Sequence, residues 1–150
     1  MYKRQTIFID IKRNLGDNYA REVKINELKE TSDIISLHTN LNQSSHHIID
    51  KQFIDDCKKS FYLINTARGE CVSNDDLIRG LESGKILGVG LDVLENENKD
   101  FKGMSDDQNL DKLKKIENVI LTPHIAGWSN ESKIKLAQII VDKIKEFLGL

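Results

Sequence analysis

Short β-branched or aliphatic runs recur along the chain, separated by stretches whose apolar residues return every three or four positions. TIFID (Thr6–Asp10), DIISLH (Asp33–His38), FYLIN (Phe61–Asn65), ILGVGLD (Ile86–Asp92) and NVILT (Asn118–Thr122) predict strands. Most of these are continuous apolar runs rather than alternating ones. A strand buried on both faces reads that way, which predicts a parallel sheet covered by helices.

The intervening segments predict those helices. Asn26 can cap a short one carrying Leu28, and Asp50 one carrying Phe53, Ile54 and Cys57. The helix from Ser73 to about Ser83 carries the fullest set of signals. Ser73 and Asp76 stand at capping-box spacing, Val72 and Leu77 at hydrophobic-staple spacing, and Gly84 follows where a left-handed residue is wanted. A last helix runs from near Ser129 to about Leu148, with Ile134, Ala137, Val141, Ile144 and Leu148 forming one apolar stripe. The polar stretch Glu95–Lys115 predicts a long surface loop with at most one short helix. Strand–helix alternation throughout predicts an α/β fold.

Composition narrows the function. At 150 residues the chain is one domain's worth, and its net charge of −2 argues against a nucleic-acid module. No apolar run approaches the ~18 residues needed to cross a bilayer, and no signal-peptide stretch opens the chain, so no membrane partner is expected. Cys57 and Cys71 are the only cysteines. Two thiols make neither a disulfide framework nor a four-ligand zinc site, so no metal is expected and a reducing cytoplasm is the default.

The polar residues at the strand ends carry the candidate chemistry. Asp10 ends the first strand, where a nucleotide-binding α/β fold places an acid against ribose hydroxyls; a turn or cap residue is the plainer alternative. The glycine-rich fingerprint expected about 20 residues before such an acid is absent. Either the chain is not a dinucleotide fold or it begins inside one. INTARGECV (Ile64–Val72) delivers Thr66, Ala67, Arg68 and Gly69 to the end of one strand. LDVLENEN (Leu91–Asn98) puts Asp92 at the end of another, and LTPHIAGWS (Leu121–Ser129) sets the only proline, Pro123, directly before His124. Ligands of open α/β sheets bind at this carboxyl edge.

In their order, INTARG, GLDV and TPHIAG resemble the D-isomer-specific 2-hydroxyacid dehydrogenases, and the resemblance runs from TIFID through SDIISLHTNL to NVILTPHIAGWSNES. HTNL is most similar to the phosphoglycerate dehydrogenase branch. The resemblance implies a Rossmann-like parallel sheet with helices on both faces, lacking the first strand and glycine-rich loop. Residues 1–128 would form a partial NAD-binding domain, and 129–150 a helix leading toward a substrate domain. The family's central first strand would otherwise lie between two groups, TIFID with DIISLH on one side and the remaining three strands on the other.

The same resemblance implies the chemistry. Arg68 matches the arginine that holds the carboxylate and carbonyl oxygen of a 2-oxoacid, a task suited to a planar, permanently charged fork. His124 matches the acid–base and Glu97 its carboxylate partner, with Glu95 the alternative if the loop register differs. For NAD, Asp10, Thr39, Thr66, Ala67, Arg68, Asp92, His124 and Gly127 are the candidate contacts. A homodimer is expected of the full-length protein. A non-catalytic NAD-sensing or dimerisation module of the same fold is the alternative function. The sequence departs from the family at Ser60, Asn40 and Asn98, where glycine, proline and proline are usual; these touch loop stiffness rather than charge. His38, His46 and His47 read as ordinary, Cys57 and Cys71 as partly buried small side chains, and Trp128 as a packing anchor.

Overall fold

The computed structural model describes residues 5–95, 97 and 108–150. Four strands, β3 (Ile34–Leu37), β4 (Phe61–Asn65), β5 (Ile86–Leu91) and β6 (Val119–Leu121), form a parallel sheet in sequential order. Parallel neighbours need a crossover, and each one here carries a helix: α2 (Lys51–Asp56), α3 (Asn74–Glu82) and α4 (Gln108–Leu113). Asn98, within the polar stretch, lies outside the described residues.

Two strands sit apart. β1 (Thr6–Phe8) pairs in parallel with β2 (Ala20–Glu22), which the sequence did not predict. Three residues, Ala-Arg-Glu, offer too little apolar pattern to announce a strand. This pair corrects the expected grouping. DIISLH is not TIFID's companion but joins β4 in the four-stranded sheet, Ile34 opposite Tyr62 through Leu37 opposite Asn65.

The helix signals are read out largely as written. Asp50 caps α2, its carboxylate accepting from the Phe53 N–H at 2.8 Å. Ser73 caps α3 through the Asp76 N–H, and Gly84 takes the left-handed conformation with φ of 71°. The Ser73 N–H itself donates to the Ile49 carbonyl, so backbone occupies the other half of the capping box. Ser129 caps α5 (Asn130–Leu148). Asn26 does not cap; α1 (Ile25–Thr31) begins after Lys24 with no side-chain cap.

The core lies between the sheet and α2, α3 and α4. Phe61, Leu63, Ile86, Leu77 and Leu113 are fully enclosed there. β4 alternates, burying Phe61, Leu63 and Asn65 and exposing Tyr62 and Ile64. Ile34, Leu87 and Ile120 are exposed as well. Among the described residues one sheet face is covered and the other is open, and α5 buries none of its 19 residues. Continuous apolar runs report residues fit for burial on both faces, not which faces are covered.

Candidate active site

Asn65 ends β4 fully buried and shapes the turn that follows. Its side-chain carbonyl accepts from the Ala67 N–H at 3.0 Å, and its amide donates to the Arg68 carbonyl at 2.9 Å. This local loop of bonds is why an asparagine suits a strand end. Arg68 emerges exposed, its guanidinium donating to the Ala67 carbonyl. Gly69 follows at a position where a Cβ would lie 1.9 Å from the Leu94 carbonyl oxygen. Only glycine lets the Leu94–Glu95 backbone approach the arginine turn this closely.

Asp92 follows directly on β5, 5% exposed. One carboxylate oxygen accepts from the Thr122 hydroxyl at 2.6 Å and the Ile125 N–H at 2.8 Å; the other accepts from the Ala126 N–H at 2.8 Å. The Asp92 backbone carbonyl takes the His124 N–H at 2.9 Å. Burial works to raise this carboxyl, but the Thr122 hydroxyl, the Ala126 and Ile125 N–H groups and the His124 charge outweigh it and hold it below the usual carboxylate range. Asp92 therefore fastens the loop after β6. That fastening holds His124 at φ 53°, a left-handed conformation that costs a non-glycine residue of order 1 kcal/mol and persists where neighbours over-determine it.

The loop register is decided by distance. His124 Nδ1 lies 3.0 Å from Glu97 Oε1, while Glu97 Oε2 accepts from the Leu94 N–H at 3.3 Å. Glu95 faces elsewhere: Oε1 is 2.6 Å from His47 Nε2, and Oε2 accepts from the Asn74 N–H at 3.0 Å. A cleft of about 230 Å³ opens beside the His124–Glu97 pair, with Asp92, Lys114, Thr122 and Leu110 in its wall.

The other candidate residues are spread along the sheet edge. Thr66 is exposed and Ala67 buried just beyond β4, and Gly127 lies exposed past His124. Thr39 sits two residues beyond β3, its hydroxyl donating to the Asn40 carbonyl at 3.2 Å. Asp10 follows β1 in the smaller sheet, one oxygen accepting from the Lys12 N–H at 2.8 Å. Trp128 is not a packing anchor: it is 70% exposed, with the Lys133 ammonium 5.9 Å from its ring centroid. Cys57 and Cys71 are fully rather than partly buried, and burial raises both thiols. Sequence reasoning missed Glu95–His47 and the structural work of Asn65 and Thr122. An asparagine two residues before a required N–H was the one readable signal among them.

A parallel α/β layer with arginine, aspartate and histidine leaving successive strand ends on one edge points to the class: a domain of the dinucleotide-binding α/β type. Residues 3–126 match the family described as "D-isomer specific 2-hydroxyacid dehydrogenase, NAD binding domain", and the chain belongs to that family. It is 40% identical over 125 residues to a D-specific alpha-keto acid dehydrogenase of Enterococcus faecium, covering 80% of this chain and 38% of that protein. It is 34% identical over 134 residues to an aromatic 2-oxoacid reductase of Clostridium sporogenes, covering 86% of this chain and 40% of that one. Among solved structures, the NAD-complexed D-isomer specific 2-hydroxyacid dehydrogenase of Lactobacillus delbrueckii ssp. bulgaricus superposes with a TM-score of 0.80 at 32% identity. That alignment covers 97% of this chain and 46% of the other. The chain thus spans about two fifths of the length of the curated relatives it matches. Among the described residues, no helix is long and apolar enough to cross a membrane.

Proposed function

We propose that this chain contributes the NAD-binding and acid–base groups of a D-2-hydroxyacid dehydrogenase, interconverting a 2-oxoacid and a D-2-hydroxyacid. The observation that carries the reading is the 3.0 Å approach of Glu97 to His124 Nδ1 beside the Arg68 turn. With Nδ1 occupied by the carboxylate, Nε2 is the nitrogen free to exchange a proton with substrate. His124 gives that proton to the substrate's carbonyl oxygen during reduction and takes it back during oxidation. Glu97 supports the imidazolium in the first case and fixes the neutral tautomer in the second. Arg68 swings from the Ala67 carbonyl to bind the substrate carboxylate and carbonyl oxygen, where its charge opposes the negative charge developing on that oxygen.

The residues present fit NAD at two of its parts. The exposed Asp10 carboxylate keeps its second oxygen for ribose hydroxyls, and the exposed Thr66 hydroxyl and open Gly127 backbone suit the nicotinamide half. Asp92 retains acceptor capacity on the oxygen that takes only the Ala126 N–H, which suits a carboxamide donor. Bound there, NAD supplies or accepts the hydride. No glycine-rich turn leading into a helix cradles a pyrophosphate among the described residues.

The test is NADH oxidation across a panel of 2-oxoacids by the protein that carries this chain. Turnover is expected, with His124→Ala abolishing it while sparing NADH affinity and Arg68→Ala raising KM and lowering kcat. NADH binding without turnover on any 2-oxoacid would instead favour a sensing module, and an active His124→Ala variant would refute the assigned role. We place the protein in a reducing cytoplasm, where its free, buried thiols need no oxidised partner.

A further inference from the structure

The Leu94–Glu97 turn carries two carboxylates, and each meets a histidine in a left-handed backbone conformation. Glu97 meets His124 at φ 53°, and Glu95 meets His47 at φ 49°. His47 is more enclosed than His124, at 35% against 48% side-chain exposure, and the two carboxylates are similarly enclosed, Glu95 at 20% and Glu97 at 15%. His47 is held by its own backbone: its N–H donates to the Glu70 carbonyl at 2.8 Å, within the turn that follows Arg68. Two residues on, Ile49 bridges to Val72, with its N–H on the Cys71 carbonyl and its carbonyl accepting from Ser73. Glu95 thus grips a loop already fastened to the arginine turn, and with its other oxygen grips the first residue of α3.

Glu97 lies two residues beyond this anchor. The Glu97 N–H donates to the Leu94 carbonyl at 3.1 Å, and the Glu97 carboxylate accepts from the Leu94 N–H. The backbone at Leu94 and Glu95 presses on Gly69. We propose that Glu95 and His47 are positioning residues, a second carboxylate–histidine pair that fixes the Leu94–Glu97 turn and so holds Glu97 against His124 Nδ1. This rests on the acid–base reading of His124 and Glu97. Neither positioning residue touches substrate in this scheme; together they set the tautomer of the residue that does.

The tautomer is the readout. Long-range proton–nitrogen NMR of the full chain, at a pH where the rings are neutral, shows which nitrogen of His124 carries the proton. The unvaried chain is expected to hold it on Nδ1. Glu95→Gln and His47→Gln should each move most of the His124 population toward the Nε2–H form that an unconstrained imidazole prefers, and the double variant should do no more than either single one. Glu97→Ala, which leaves no side-chain acceptor, is the reference for complete release. His38, which meets Ser36 rather than this network, reports folding by keeping its own signals. Should Glu95→Gln not fold, His47→Gln decides alone. If Glu97→Ala releases the tautomer and both positioning variants leave it on Nδ1, the proposal is overturned while the acid–base reading stands. If Glu97→Ala also leaves it unmoved, both fall.

Discussion

Replacing Gly69 with alanine is the sharpest probe of how the site is assembled. The added Cβ would lie 1.9 Å from the Leu94 oxygen, 2.0 Å from the Leu94 carbonyl carbon and 2.5 Å from the Glu95 nitrogen. All three are backbone atoms, so no side chain can rotate away. Restoring an ordinary 3.4 Å contact takes a retreat of about 1.5 Å by the Leu94–Glu95 segment. That shift stretches the 2.6 Å Glu95–His47 contact beyond hydrogen-bond reach and loosens Glu97 from His124. Overpacking of this kind costs about 1–3 kcal/mol, and the lost carboxylate–histidine hydrogen bonds add of order 1 kcal/mol. For a small domain whose urea dependence is about 2 kcal/mol per molar, the midpoint should fall by roughly 1–2 M. Gly90→Ala is the control, since nothing lies within 4 Å of the Cβ it adds; it should stay within about 0.5 kcal/mol of the original. Urea unfolding followed by circular dichroism measures both. A Gly69→Ala chain as stable as the Gly90→Ala chain would refute the claim that the turn rests directly on this glycine.

Three further outcomes follow from local chemistry. Burial raises both the Cys57 and Cys71 thiols, so neither should react with a thiol reagent at neutral pH until the chain is unfolded; rapid native labelling of either would contradict its enclosure. Asp50→Ala removes the acceptor of the Phe53 N–H and should cost about 1 kcal/mol in the same urea assay, with a loss under about 0.3 kcal/mol counting against the cap. The Asp92 carboxyl is held below its ordinary value, so its contribution is fully present above about pH 4 and is lost as pH falls through its lower folded value. The stability gap between the original and Asp92→Asn should therefore narrow steadily in acid below about pH 4, and a gap that widens there would reverse the sign of the argument.

Where an element advertises itself by burial or by a cap, the sequence was a sufficient guide. FYLIN matches β4 residue for residue, Asp50 and Ser73 cap the helices they were expected to cap, and α5 begins beside Ser129 as expected. β2 escaped because three residues at a sheet edge need little apolar character. Asn26 misled because a capping residue type binds nothing unless the backbone turns at its position, and here the helix starts earlier. Trp128 was expected to pack because large aromatics usually do, yet it stands exposed at the foot of α5. The choice between Glu95 and Glu97 was open for a different reason. Both lie on one polar loop at spacing two, and only the folded backbone distinguishes Glu97, which reaches His124, from Glu95, which reaches His47.

That last point bears on how such a site evolves its accuracy. Arg68, Glu97 and His124 lie on loops, Arg68 and His124 exposed and Glu97 with 15% of its side chain exposed. Their placement comes from short neighbours at the strand ends: Asn65 bending the arginine turn, Gly69 admitting the carboxylate turn, Asp92 pinning the histidine loop. Each of these acts on backbone atoms within three residues of Arg68, Glu97 or His124. A substitution there would shift one of these three side chains without touching it, and misplacement by about an ångström is enough to cost a catalytic site about two orders of magnitude. The residues that would carry the reaction and the residues that make it possible are therefore different sets, joined by backbone hydrogen bonds. The Glu95–His47 pair extends the second set across to the neighbouring loop.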